Sequence, residues 1–335
     1  MHKANWWSPR QDQVAECHLC PRECRIADGK TGFCAARQNR RGELYSLVYG
    51  NPIAVHVDPI EKKPLYHFYP GSQILSIGTV GCNLECEFCQ NWDIARGKVD
   101  QLRSRHYSPE QLVEAALQSE SLGIAFTYNE PTIFGEYVLD IARLAREADL
   151  KTVMVTNGYI SRAAIGDIFP FIDAANIDLK AFSQEFYSKY CHADLGHVLD
   201  AIIEIGRQGT FIELTTLLIP GLNDSPDLMR AEVNWILENL GADVPFHLSA
   251  FHPDYHMRDY RPTPKTTLDG ARQLALEMGM KYVYEGNIAA THGNNTYCPN
   301  CGALLVERQW FSVSVNNVVG GRCRCGEAIS IVNKI

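Results

Sequence analysis

The 335 residues predict an α/β protein: a partial (β/α)6 barrel with a small cysteine-rich metal-binding module at each end. Three observations carry that reading. From Gln73 to about Gly286, apolar strand-like runs alternate with capped helices, an order that implies a parallel sheet with right-handed crossovers. Directly after the first run comes Gly81-Cys82-Asn83-Leu84-Glu85-Cys86-Glu87-Phe88-Cys89-Gln90-Asn91-Trp92, at a strand's carboxyl end, where such folds place their chemistry. Most of the remaining cysteines gather towards the two ends of the chain. Six units fall short of a closed eightfold barrel. A doubly wound sheet also fits the alternation, although no GxGxxG follows any strand, so a dinucleotide site has no support. The expected division is 1–70, 71–287 and 288–335.

The stretch to about Pro70 is rich in Pro, Gly, Arg and Cys and has little helical periodicity. Cys17-His18-Leu19-Cys20-Pro21-Arg22-Glu23-Cys24 and Gly32-Phe33-Cys34 supply two ligand pairs to a unit too small for its own core, a pattern that calls for a metal. Zinc and a second iron–sulfur cluster fit this spacing equally. His18 could stand in as a ligand but reads first as an exposed bystander. The β-branched and apolar runs Ile74–Val80, Ile124–Tyr128, Thr152–Thr156, Ala175–Leu179, Phe211–Ile219 and Phe246–Phe251 read as strands, with Lys281–Tyr284 as one more. Helix starts between them are marked by Ser108-Pro109 with Gln111 at N3, by Pro131, and by Ser225-Pro226. The Pro131 helix is expected to run to about Ala148, and Gly241 closes the Ser225 helix as its C′ residue. After Gly286 the pattern breaks. Cys298 and Cys301, a β-rich stretch over Leu304–Val319, and Cys323 and Cys325 read as a zinc ribbon, with Cys-x-Cys in place of the usual second Cys-x2-Cys knuckle. Cys191 stands alone and reads as a small buried hydrophobe.

Lys and Arg number 31 and Asp and Glu 39, a formal net charge of −8. That balance argues against a general nucleic-acid binder, though a local basic patch remains open. The first residues lack an apolar h-region, so no secretory signal is expected, and no run is long enough to span a bilayer. The expected compartment is the cytoplasm, where cysteines serve metals rather than disulfides.

Cys82, Cys86 and Cys89 are soft ligands suited to iron–sulfur clusters or zinc. Three thiolates leave one iron of a four-iron cubane with an open position, as catalytic metal sites require. A zinc knuckle lacking one ligand, or three unrelated core cysteines, is the competing reading. With Phe88 before the third cysteine, the loop resembles the cluster loop of radical S-adenosylmethionine (SAM) enzymes. The resemblance extends to Tyr128-Asn129-Glu130-Pro131, Asp178-Leu179-Lys180, Phe251-His252-Pro253-Asp254-Tyr255 and Tyr297-Cys298-Pro299-Asn300-Cys301-Gly302. Together these are similar to the radical SAM enzymes of the AmmeMemoRadiSam system, kin of pyruvate formate-lyase activating enzymes.

The resemblance implies a [4Fe–4S] cluster on Cys82, Cys86 and Cys89 and SAM bound by its open iron. It implies SAM contacts from Phe88, Cys89, Gln90, Asn129, Glu130, Thr156, Asn157, Asp178, Lys180 and His252. Within that set Glu130 answers the SAM ammonium, Asp178 a ribose hydroxyl and Lys180 the methionine carboxylate. Tyr128 and Asn129 replace two glycines of the family's pattern, which puts the ammonium donor in question. A flavodoxin or ferredoxin supplies the electron, and SAM cleavage yields a 5′-deoxyadenosyl radical that removes hydrogen from a substrate. That substrate is left open between a protein loop, as for a glycyl-radical activase, and a small molecule or nucleotide. His247 reads as a core or neighbouring hydrogen-bonding group, and Tyr255 and His256 as residues that reach towards substrate. The alternative class is an iron–sulfur electron-transfer or redox-sensing protein without SAM cleavage, which would have no use for the rim of Glu130, Asp178, Lys180 and His252.

Overall fold

The computed structural model describes residues 1–97, 99, 105–289 and 292–333. Seven parallel strands follow one another in sequence order: β1 Gln73–Gly78, β2 Gly123–Phe126, β3 Lys151–Thr156, β4 Ala174–Asp178, β5 Phe211–Leu218, β6 Phe246–Ala250 and β7 Val283–Gly286. An eighth strand, Ala54–Pro59, pairs antiparallel with β1 and forms the far edge. The sheet therefore extends amino-terminal to position 70. Its strand order has two ends, so the barrel is open.

Among the described residues, the longer helices of the crossovers are α1 Pro109–Gln118, α2 Gly135–Glu147, α3 Arg162–Ile168, α4 Leu195–Arg207, α5 Pro226–Asn239 and α6 Lys265–Glu277. Local chemistry sets their starts. Ser108 and Gln111 form a reciprocal capping box at α1, and Ser161 and Ser225 accept from the N3 amides of α3 and α5. Each cap satisfies backbone donors that a helix start leaves open. The segment opened by Pro131 begins as a 3-10 turn, Pro131–Phe134, and becomes α-helical only at Gly135. The last strand starts at Val283, not Lys281.

The strands are apolar on both faces, as parallel strands between helices must be. Ile77, Phe126, Met154, Ile177, Leu214 and Leu248 belong to one continuous core. That core runs into the amino-terminal region, whose Ala15, Leu19 and Ile26 join it. A second core under the barrel gathers Tyr66, Tyr284, Leu305 and Val306 around the carboxyl-terminal hairpin, Leu304–Gln309 and Ser312–Asn316. Here the amino ends of the strands are closed by a polar network. Glu213 accepts from the Tyr66 and His67 amides at 3.0 and 2.7 Å and from His247 Nε2 at 2.6 Å. Arg308 donates to the Tyr66 carbonyl at 2.6 Å. His247 is thus a buried structural partner. No helix among the described residues is long and apolar enough to cross a membrane.

Candidate active site

The carboxyl ends of β1–β6 form one rim, and the Cys82–Cys89 loop lies across it. Two glycines let the loop leave β1. A Cβ on Gly78 would stand 2.7 Å from the Thr127 carbonyl, and one on Gly81, which has φ +102°, would stand 2.3 Å from that of Cys34. Neither approach admits a side chain. Asn129 clamps the loop from the β2 side, donating to the Gly81 carbonyl at 2.8 Å and accepting from the Thr79 amide at 2.9 Å.

Cys82, Cys86 and Cys89 are half-buried and face one another closely enough to raise each other's pKa. Burial, then Cys86, pushes Cys89 up to about 11, and burial raises Cys82 further. The sulfurs are nevertheless more widely spread than a single ion requires. Among the described residues, only Cys298, Cys301, Cys323 and Cys325 bring three or more ligand atoms within 4.8 Å of one another. A tetrahedral zinc, with Zn–S near 2.3 Å, needs that compactness, whereas a multi-iron cluster needs the wider spread. The charge suits an anionic cluster too. Lys180 and Arg96 both act to lower the Cys89 pKa, and Lys180 that of Cys86.

The rim residues named from the sequence divide by what they touch. Glu130 is buried, which raises its pKa, and its carboxylate accepts from the Thr132 amide, the Thr156 hydroxyl and the Asn157 amide at 2.9, 2.7 and 2.8 Å. It braces the end of β3. Asn157 carries the chain of contacts onward, donating to Asn83 Oδ1 at 2.9 Å with its Nδ2 3.8 Å from Cys82 Sγ. Asp178 and Lys180 form an ion pair at 2.7 Å. Burial opposes the charged Lys180, but Asp178 and Cys86 outweigh it and hold the ammonium protonated. His252 is exposed, its Nε2 2.8 Å from the Asn287 carbonyl at the end of β7. Phe88 is buried against Phe186, with ring centroids 5.7 Å apart. Gln90 is exposed beside Cys89. Tyr255 stacks on Trp92 at 5.4 Å, and the His256 amide donates to the Glu87 carbonyl, so the loop after β6 folds over the cysteine loop.

Several functional neighbours carry no sequence signal of their own. Cys191 is buried as expected, but its thiol lies close enough to Cys86 that, with burial, it raises the Cys86 pKa well above the usual thiol range. It arrives there on a π turn, Tyr187–Cys191, whose Tyr190 and Cys191 carbonyls accept from the Glu87 and Glu85 amides. Arg96 donates to the Cys82 and Leu84 carbonyls, and Arg22 to the Asn83 carbonyl. At the carboxyl-terminal module the quartet is compact: Cys298 and Cys325 lie 3.6 Å apart and Cys301 and Cys323 3.7 Å.

Comparison with known proteins places the same segment in context. The family model described as the Radical SAM superfamily matches residues 76–231. An uncharacterized protein of Methanocaldococcus jannaschii is 44% identical over 335 residues, covering 99% of this chain and 100% of its own. The pyruvate formate-lyase-activating enzyme of Clostridium pasteurianum is 23% identical over 225 residues, 61% of this chain and 89% of that enzyme. Among solved structures, a radical SAM methyltransferase from Sphaerobacter thermophilus shares the fold at TM-score 0.50 and 18% identity, over 68% of this chain and 71% of the other.

Proposed function

The chain belongs to the radical SAM superfamily, and from that premise we propose that it is an enzyme binding a [4Fe–4S] cluster on Cys82, Cys86 and Cys89 and SAM beside it. The supporting observation is the rim itself. Three mutually facing thiols, spread wider than one ion needs, share an edge with a protonated lysine, a carboxylate and a buried amide relay. When bound, the cluster and SAM supply reductive cleavage to methionine and a 5′-deoxyadenosyl radical, which removes hydrogen from substrate.

The protein's part is binding, charge and dryness. Lys180 and Arg96 offset the negative charge of three thiolates. In this reading Lys180 also meets the SAM carboxylate and Asp178 a ribose hydroxyl, and each must trade part of its present partner for the ligand. Glu130 holds Thr156 and Asn157 in place, with Asn129 fixing the loop opposite. Phe88, Gln90 and His252 complete the proposed contact set. The buried lower strands keep water from the reacting face. A one-electron carrier of the flavodoxin or ferredoxin class is the proposed reductant and zinc the proposed occupant of the carboxyl-terminal quartet. The likeness to activating enzymes favours a glycyl-radical protein loop as substrate over a small molecule or nucleotide.

Anaerobic reconstitution with iron and sulfide, followed by SAM and dithionite, tests this. The expected result is 5′-deoxyadenosine from the native chain and none from Cys89→Ala. A filled cluster in the native chain without 5′-deoxyadenosine would instead make it an electron-transfer protein.

A further inference from the structure

We propose that Cys17, Cys20, Cys24 and Cys34 hold a second [4Fe–4S] cluster, not zinc, placed to pass single electrons to the cluster loop. The four thiols line one small cavity that is partly open to solvent. Leu19, Ile26 and Ile133 supply the apolar part of its remaining wall. Lining one cavity, the four thiols form one group around one space, yet no three of their sulfurs fall within the 4.8 Å span that the carboxyl-terminal quartet meets. The same chain thus shows both geometries. Four cysteines close on a point where a tetrahedral ion fits, and four others ring a volume that such an ion cannot bridge at about 2.3 Å per bond. Four thiolates around a wider space match a cubane, which takes one cysteine on each iron.

The charges around the cavity agree. Arg37 lines it and is buried, donating to the Asn5 carbonyl at 3.0 Å, with its Nη1 3.5 Å from Cys17 Sγ. It is ion-paired with the equally buried Glu136, and its Nε has no acceptor among the described residues. A guanidinium with an unused donor beside a ring of thiols is suited to a sulfur-rich anion. Arg22 also lines the cavity, its guanidinium 3.5 Å from the Phe33 ring centroid.

Position then assigns the role. Asn83 lines this cavity and is the residue after Cys82. Gly81 packs on the Cys34 carbonyl, and Asn157 Nδ2 reaches both Asn83 and Cys82 Sγ. The two cysteine sets share a wall. A reduced carrier of the ferredoxin or flavodoxin class would give one electron to the amino-terminal cluster, which passes it to the cluster at Cys82, Cys86 and Cys89. Each donor is oxidised and each acceptor reduced by one electron, and no bond is made or broken. This relay rests on the radical SAM reading; occupancy of the cavity does not.

The test uses the full chain reconstituted anaerobically, with iron, sulfide and zinc counted and the reduced state examined by EPR. The native chain should bind about eight irons and its Cys82→Ala/Cys86→Ala/Cys89→Ala form about four, for two cubanes and one. The reduced signal of that triple variant should not respond to SAM. A Cys20→Ser/Cys34→Ser form should keep the SAM-responsive signal and dithionite-driven reduction, but lose fast reduction by the carrier protein. Zinc in place of iron in the triple variant, or no metal there, overturns the cluster. Unchanged carrier-driven reduction in Cys20→Ser/Cys34→Ser overturns the relay. If that variant does not fold, the triple variant alone decides occupancy, and stopped-flow reduction of the native chain decides the relay. The amino-terminal signal must then appear before the SAM-responsive one, and the reverse order refutes it. Failure of 5′-deoxyadenosine formation in a native chain that binds about eight irons would refute the radical reading and leave this cluster standing.

Discussion

At the scale of single residues, the site works through side chains that act on other side chains. Glu130 receives three donors, so an amide in its place would point an N–H at one of them. Glu130→Gln should therefore cost about 1–3 kcal/mol, the usual penalty for an unsatisfied buried group, and loosen Asn157. Denaturant titration of the two proteins measures it, and equal stability would show that the brace carries no load. Cys191 offers a different readout. Its thiol lies close enough to Cys86 to raise that thiol's pKa, and a thiol donating to a cluster sulfur raises a cluster's potential. Cys191→Ala should keep its iron but move the midpoint of the cluster proposed on Cys82, Cys86 and Cys89 to more negative values in an EPR-monitored titration. An unmoved midpoint would reduce Cys191 to packing. The grouping of Cys82, Cys86 and Cys89 on one loop was legible because their spacing is local. Cys191 was not, since it lies 102 positions beyond Cys89 and the π turn brings it there.

At the scale of elements, the legible features were again those settled within a few residues. Ser108 with Gln111, Ser161 and Ser225 cap their helices by short-range bonds, and the β-branched runs mark the strands to within a residue or two. Ser108→Ala should cost about 1 kcal/mol by thermal or chemical unfolding, whereas a loss near zero would mean the first turn of α1 frays in the native state. The start of β7 and the 3-10 opening after Pro131 were less legible, because tertiary pairing decides them. A buried carboxyl on α5 gives a pH signature. Among the described residues, the Glu232 carboxyl has the Thr216 hydroxyl as its hydrogen-bond partner, at 2.5 Å, and burial raises its pKa from 4.5 to about 8. The folded state thus holds a proton that the unfolded chain releases between those values, so this group's contribution is full below about pH 4.5 and is lost as pH rises through about 8. Glu232→Gln should remove that slope. The stability difference between variant and native chain should move in the variant's favour from pH 5 to pH 8, and a constant difference would mean Glu232 ionises normally.

At the scale of the whole molecule, the two cysteine-rich ends are structural parts of the barrel. The amino-terminal region shares the main core and supplies the edge strand, and the carboxyl-terminal region closes the barrel's lower end through Arg308, Tyr66 and His67. The Tyr69 amide donates to the Val332 carbonyl, and the Val332 amide to that of His67. Metal in the Cys298–Cys325 quartet should therefore stabilise more than its own module. Cys301→Ser/Cys325→Ser, at the two exposed positions of the quartet, should lower the Tm of the whole chain and abolish the gain from added zinc. An unchanged main transition would show that the module melts independently.

The unclosed strand order has a mechanical meaning as well. A closed barrel has its radius set by strand number and stagger, so its mouth cannot widen without breaking ladder bonds. Here the ladder stops at Ala54–Pro59 on one side and at β7 on the other. An open ladder leaves the sheet's curvature free to relax by small twists shared among seven interfaces while every backbone pair stays intact. A sheet free in this way would let the same set of rim residues meet a narrow guest and a broad one.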